Sequence, residues 1–405
     1  MLQLLYSNRF ETLVDALCDD LDATSPGLWA SEQIVVPSAA ARRHLELELA
    51  RRRGICANVD FSYLAHWLWA QIGRVMDVPA HSPLAIDRLA WRLYRFFSVD
   101  AAGREDDLDT AAWRTSPRLA SYLSAADAPM RYELARRVAT LFDHYLTYRP
   151  EWLARWQRGE SIFAAEPGER AAGRLAVFQE DERWQAALWR AVLTELAGSA
   201  DDVALAAATP PAHRFLERVR TLDLDAVMRA GWPASVSIFA LPTIAPLHIA
   251  ILRELSRWID VRLYVLNPCR AFWFDIVTEG RAVSLDAAGQ LDYQEVGHPL
   301  LAEWGRQTQA HLHLLHELTE GAASAEATRF VEHPSSTWLA RVHNAMLDLE
   351  PEPTDAEVAE TIAGADHGAP RGIEVHVCHS LSRQLEVLHD RLLAWFEQGT
   401  GEVAG

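Results

Sequence analysis

The chain has 405 residues, half of them hydrophobic and 23% charged, which excludes a wholly disordered polypeptide and suits two or three domains. Its 38 cations are all arginine and stand against 56 acids, a net charge of −18. Without lysine there is no Walker A phosphate loop and no lysine Schiff-base chemistry, and the net charge argues against a general nucleic-acid coat but not against a local arginine-lined groove.

Leu2–Tyr6 is a short apolar run that reads as a buried strand, and Phe10–Leu21 follows with helical spacing of Phe10, Leu13, Val14 and Leu17. Ile34–Val36 is a second strand stopped by Pro37, and Ser38 can cap a helix over Ala39–Arg53 that ends at Gly54. Strand, helix, strand, helix opens an α/β domain with a parallel sheet. After Asp60 the pattern turns helical, with helices expected over Tyr63–Val75, Pro83–Phe97, Met130–Leu146, Asp181–Leu196 and His213–Arg229. Strands resume at Val236–Leu241 and Val261–Leu266, with a helix over Leu247–Trp258 between them. Helices are expected again over Leu300–Glu317 and Ser336–Leu349, then a last strand over Ile373–Cys378 and a last helix over Arg383–Phe396. The expected organisation is a split α/β domain (residues 1–60 and 231–349), a helical insertion (61–230), an acidic linker (350–371) and the start of a second α/β domain (372–405). One strand and one helix cannot bury both of their apolar faces, so this last piece reads as an unfinished domain.

No stretch approaches the roughly 18 uninterrupted apolar residues of a membrane span. The start Met1–Phe10 has no signal-peptide pattern. A cytoplasmic protein without membrane contact is expected. Cys18, Cys56, Cys269 and Cys378 are widely spaced, which fits buried thiols and no zinc or redox motif.

Few segments carry a chemical signal. The first strand-to-helix turn, Ser7-Asn8-Arg9, has neither the glycines nor the lysine of a phosphate loop. The strand Val236–Leu241 ends in Ala240-Leu241-Pro242-Thr243, without the acid that would hold Mg²⁺ in an NTPase. On a helix, His311 and His313 point apart, and no glutamate completes a zinc pattern with His313 and His316, so a metal site is not expected. Arg42, Arg43, Arg51, Arg52 and Arg53 suit either phosphate contacts or a solvated face paired with Glu46 and Glu48. Trp91–Phe97 mixes aromatic rings and arginine, which suits base stacking or core packing. No arrangement sets a nucleophile beside a base, and no catalytic residue is expected.

Several stretches together resemble the N-terminal part of the RecC family, the gamma chain of exodeoxyribonuclease V. They are Tyr6-Ser7-Asn8-Arg9; Gly54–Phe61; Leu141–Trp156 with its Tyr148-Arg149-Pro150-x-Trp152-Leu153 core; Asn267-Pro268-Cys269-Arg270 with Trp273; Gly297–Gly305; and His376–Ser380 with Glu386–Leu393. The resemblance implies a superfamily 1 helicase-like fold whose ATP site is degenerate at Ser7, Asn8 and Arg9. It implies no ATPase or nuclease activity in this chain and no cofactor of its own, ATP and Mg²⁺ being used by the partner subunits. Those partners are RecB and RecD, and the complex acts on DNA ends in double-strand break repair and recombination.

In such proteins a tunnel scans the 3′-ended single strand for the Chi sequence. The resemblance places strand contacts at Arg43, Tyr63, Trp69, Leu141, Asp143, His144 and Arg149, with Trp69 stacking on a base, Arg149 pairing with phosphate or a base edge, and Asp143 accepting from a base amine. Pro37 and Ala39 stand where Chi-reading members are polar, and Arg43 replaces a neutral amide, so a different recognised sequence, or none, is expected. A scaffold for RecB and RecD with no DNA contact stays open on the net charge. An active AddB-type helicase–nuclease is disfavoured, because such members keep the Walker A lysine.

Overall fold

The computed structural model describes residues 1–23, 30–78, 82–98, 116–163, 172–198, 210–287, 295–320, 323–334, 337–350 and 373–399. The expected linker lies, apart from Glu350, outside the described residues. The chain divides into two compact units, Met1–Asn267 with Gln307–Arg329, and Pro268–Arg306 with Phe330–Gly405.

Strands are numbered in chain order: β1 (Leu2–Ser7), β2 (Glu32–Val35), β3 (Val59–Ser62), β4 (Ser235–Phe239), β5 (Asp260–Leu266), β6 (Ile276–Val277), β7 (Glu295–Val296) and β8 (Ser324–Thr328). The first unit is an α/β fold around a six-stranded sheet of order β3-β2-β4-β5-β1-β8, in which the pairings are parallel. Its inner strands are aliphatic runs because both faces of a parallel sheet are covered, and Leu2, Leu4, Val236, Ile238, Val261 and Leu263 are all buried. Leu2–Ser7 stands opposite Val261–Leu266.

β3 and β8 are the two edges, and neither was legible as a strand. β8 is Ser-Ala-Glu-Ala-Thr, poor in strand-forming residues and exposed throughout. Its ladder with Leu2–Tyr6 holds it, so the pairing partner and not local propensity decides its conformation.

Helix α1 (Phe10–Ala23) packs against β1 and β5. Helix α2 (Ala39–Arg53) begins as expected at Ser38, whose hydroxyl accepts from the Ala41 amide at 3.1 Å, and ends at Gly54 in the left-handed region, φ 78°. Leu13, Leu17, Ile34, Leu45, Leu49 and Phe239 form the core between these elements. Phe10 meets Phe239 edge-on, ring centroids 5.2 Å apart.

Between β3 and β4 the described residues carry helices: α3 (Leu64–Gly73), α4 (Ile86–Ser98), α5 (Pro117–Ala125), α6 (Ala128–Tyr148), α7 (Pro150–Gln157), α8 (Ala172–Ala197), α9 (Pro211–Val219) and α10 (Leu224–Ala230). They have their own core of Leu89, Leu93, Phe97, Phe142, Trp156 and Trp189. The single helix expected over His213–Arg229 is two helices. The Asp223 carboxylate accepts from the Ala226 amide at 2.7 Å and starts α10 afresh, a cap that hydrophobic periodicity does not reveal. Helix α11 (Pro246–Leu255) follows β4 and packs against α3, α6 and α9.

Ala240, directly after β4, is buried with φ 46°, and its amide donates to the Tyr264 carbonyl at 2.9 Å. An L-residue pays for this left-handed backbone and glycine does not. Ala240→Gly is expected to stabilise the chain by about 1 kcal/mol, seen as a higher urea midpoint at unchanged slope. A lower midpoint would show that the side-chain methyl matters more than the backbone strain.

The second unit holds the parallel pair β6–β7, with helices α12 (Glu279–Ala287) and α13 (Pro299–Trp304). The next helix, α14 (Arg306–Thr319), runs from this unit into the first, and α15 (Trp338–Asp348) and α16 (Leu381–Gly399) complete the second. The helix expected over Leu300–Glu317 is broken at Gly305, where an added Cβ would lie 2.4 Å from the Leu301 carbonyl oxygen and 2.7 Å from the Trp273 ring. The strand expected over Ile373–Cys378 does not form. Its residues join no ladder among the described residues, and Ile373, Val375 and Val377 are exposed. A strand needs a ladder partner, and alternating apolar residues alone do not supply one. The cysteines are free thiols, but only Cys18 and Cys269 are buried, and Cys56 and Cys378 are half-exposed, which corrects the expectation of four buried thiols.

Candidate nucleic-acid interface

In an open parallel sheet, ligands meet the carboxyl ends of the strands. Ser7, Asn8 and Arg9 stand at that end of β1. Ser7 is buried, its hydroxyl donates to the Arg329 carbonyl at 2.7 Å and accepts from the Arg9 amide at 3.1 Å. The turn is thus tied to the segment after β8 and closes on its own hydroxyl, where a phosphate loop would leave its amides open to a ligand.

Arg43 and Tyr63 stand at the other side of the sheet, at the carboxyl ends of β2 and β3, which are neighbours. β1 lies three strand positions from β2, roughly 14 Å. The Val36 amide donates to the Ser62 carbonyl at 2.9 Å and locks the two strand ends together. The Arg42 guanidinium lies 5.6 Å over the Phe61 ring, and its charge is paired with Glu46 at 2.7 Å. Arg43 reaches Glu46 only at 3.6 Å and is 69% exposed. By contrast Arg51 and Arg52 pair with Glu48, and Arg53 pairs with Asp22 at 2.7 Å and Glu32 at 3.3 Å. Hydrogen bonds from Arg51 and Arg52, outweighing burial, pull the Glu48 carboxyl down to about 2. The end of α2 is therefore an ion-paired face, and only its start offers a cation outward. Tyr63 is exposed at the N-cap of α3, and Trp69 is half-buried on the same helix.

Leu141, Asp143 and His144 lie on the last turns of α6. Leu141 and Asp143 are half-buried and His144 is exposed. Burial pushes the Asp143 carboxyl up, and the neighbouring His144 pulls it part of the way back. Pro150 ends α6, because the residue before a proline is driven out of the helical region. Arg149 accordingly has φ −140° and ψ 49°, and its amide still donates to the Tyr145 carbonyl at 2.9 Å. Its exposed guanidinium rests over Trp152, 5.9 Å from the ring centroid. Tyr145 is held in the core, donating to Gln185 Oε1 at 2.9 Å, whereas Tyr148 is exposed.

The structure thus brings the Arg43 and Tyr63 segments together directly. Helix α11 packs against both α3, which carries Trp69, and α6, which carries Asp143. It does not bring Ser7, Asn8 and Arg9 to this group. His311 is buried while His313 and His316 are exposed, and among the described residues no group of three His, Cys, Asp or Glu is placed to hold a metal ion. Among the same residues no helix is long and apolar enough to cross a membrane.

One surface feature was not separable by sequence: Trp91, read as stacking or core, is 59% exposed, while Leu93 and Phe97 of the same helix are buried. Helical spacing sorts faces but does not say which neighbour covers them.

The sequence profile of the family described as RecC, N-terminal domain, matches residues 2–349. The chain belongs to this family. It is 29% identical over 437 aligned residues to the RecBCD enzyme subunit RecC of Escherichia coli K12, covering 98% of this chain and 36% of that protein. To the subunit of the same name from Haemophilus influenzae it is 27% identical, covering 98% of this chain and 37% of that one. To that of Mycobacterium tuberculosis H37Rv it is 27% identical, covering 98% and 33%. The chain spans about a third of the length of the curated relatives it matches.

Proposed function

We propose that this chain is the front part of a strand-guiding subunit in a RecBCD-type helicase–nuclease of DNA repair and recombination. It has a helicase-like fold with a degenerate ATP site, and it neither hydrolyses ATP nor cuts DNA. It holds partner subunits of the RecB and RecD kind, which use ATP and Mg²⁺, and passes the 3′-ended single strand along the surface bearing Arg43, Tyr63, Trp69, Leu141, Asp143, His144 and Arg149. The observation that carries the reading is the family match over residues 2–349. It is supported by the absence of lysine and by the Ser7 hydroxyl tied to Arg329 and Arg9, both unlike a phosphate loop. Pro37, Ala39 and Arg43 favour a scanned sequence other than that of the Chi-reading members.

Titration of the chain with a labelled single strand tests this. Binding is expected to weaken with salt, because phosphate contacts release counterions. Arg149→Gln is expected to lower the salt slope by about 0.7, and Trp69→Leu to weaken binding roughly tenfold. DNA-stimulated ATP turnover should stay at background. Turnover by the pure chain, or binding indifferent to both substitutions, would overturn the reading. The net charge of −18 favours one other outcome, a protein scaffold without DNA contact, which the same titration reports as no binding at low salt.

A further inference from the structure

Helices α4 and α6 pack along each other and leave three rings in contact at their seam. Trp91 and Tyr132 have centroids 4.9 Å apart, Trp91 and Tyr94 5.8 Å, and Tyr94 and Tyr132 6.0 Å. Trp91 is 59% exposed, and the two tyrosines are half-buried beside it. Scattered exposed apolar residues are ordinary, but a tryptophan held open on a bed of two other rings is a built surface.

Arg88 and Arg95 stand three residues before and four after Trp91, and Arg136 stands four after Tyr132, so each shares the face of its ring. Arg88 and Arg136 are exposed and have no ionic partner among the described residues. Arg92 and Arg95 share one carboxylate, Glu195, at 3.1 and 2.8 Å. Asp87, exposed on the same side, and Glu133, exposed beside Tyr132 and ion-paired with Arg137, are the opposing acids. The rim is therefore cationic on a chain whose net charge is −18. Flat rings flanked by guanidinium groups fit a ligand with planar bases and a polyanionic backbone. The rim also argues against an acid-poor apolar helix as occupant, which would leave those charges without counterions.

We infer that Trp91, with Tyr94 and Tyr132, forms a second stacking platform for single-stranded nucleic acid, outside the segments bearing Arg43, Trp69 and Arg149. The inference rests on the proposed strand-guiding role and extends the path of the strand onto the α4–α6 seam.

The test titrates the full chain with labelled oligothymidylate and with an abasic strand of equal length. Trp91→Ala is expected to weaken oligothymidylate binding roughly tenfold while leaving the abasic strand unaffected. Trp91→Phe, which keeps a ring, should restore most of the loss. Arg88→Gln and Arg136→Gln should each lower the salt slope by about 0.7 on both strands. Equal binding by Trp91→Ala and the parent overturns the platform and hands the patch to a protein partner. Equal losses on both strands also overturn it, since stacking requires a base. If Trp69→Leu and Arg149→Gln weaken binding and Trp91→Ala does not, the platform fails while the strand-guiding reading stands. If the parent chain binds neither strand, both fail.

Discussion

Replacing Glu182 with alanine is expected to cost the chain about 3 kcal/mol or more of stability. Glu182 is 5% exposed on α8, and its carboxylate collects four donors. Oε1 accepts from the Trp156 indole at 2.9 Å and the Ile162 amide at 2.6 Å, and Oε2 from the Ser161 hydroxyl at 2.7 Å and the Phe163 amide at 3.4 Å. The turn that delivers these donors is set by Gly159, φ 76°, with the Gly159 amide on the Trp156 carbonyl at 3.0 Å and the Glu160 amide on the Arg155 carbonyl at 2.9 Å, a Schellman end to α7. Removing the carboxylate leaves the buried Trp156 indole, and the amides that close the turn, without their acceptor. Glu182→Gln should fall between, since its amide group turns a donor toward donors. Urea midpoints of the three chains decide the matter, and a loss under 1 kcal/mol for Glu182→Ala would mean that water replaces the carboxylate.

The charge adds a pH signature. Burial alone would raise the Glu182 carboxyl, but the hydrogen bonds from Ile162, Ser161, Trp156 and Phe163 outweigh it and hold the group below the ordinary glutamate value. A depressed carboxylate contributes stability that is present above the unfolded value of 4.5 and is lost as pH falls through the folded one.

The second large effect lies at milder pH. His311 is buried, and its Nδ1 has no hydrogen-bond partner among the described residues. Burial pushes its imidazolium down to about 4. The unfolded histidine takes a proton near 6.5, while the folded one stays neutral until about 4. Folding stability from this group is therefore intact above pH 6.5 and is lost progressively down to pH 4. The full loss is about 3 kcal/mol for one such site. Burial lowers His213 and His248 in the same direction. Urea unfolding between neutral pH and pH 5 should show stability falling, and His311→Leu should flatten that fall and leave the chain more stable than the parent at pH 5. An unchanged slope would move the acid sensitivity to the other two histidines. The Glu182 effect begins only at lower pH, so the two are separable.

Much of the sheet was legible. β1, β2, β4 and β5 are aliphatic runs bounded by turn residues, and a strand buried on both faces needs that composition. The caps at Ser38 and Gly54 were legible because their chemistry is local. β8 was not, since Ser324–Thr328 is a strand only by virtue of its ladder with β1. The converse holds for Ile373–Cys378, which has the alternation of a strand and no ladder among the described residues. Of the candidate site, the helix carrying Asp143 was legible over Met130–Leu146, two residues short of the end that Pro150 sets. The meeting of the β2 and β3 ends, and the packing of α3 and α6 on α11, depended on pairings distant in sequence.

What the sequence determined by itself was chemistry that no fold can supply: with no lysine in the chain, a phosphate-loop lysine is absent whatever the topology. It also determined the α/β start and the family, because strand composition, caps and ordered motifs are written locally. The pairs of Arg51 and Arg52 with Glu48 follow from helical spacing, but only the tertiary structure decided that Arg53 is spent on Asp22 and Glu32, and that Arg88 and Arg136 stand open among the described residues. It likewise decided that Trp91 faces solvent while Trp189 lies in the core. Burial and charge pairing are properties of neighbours in space, and helices of one composition bury a ring or present it according to what packs against them.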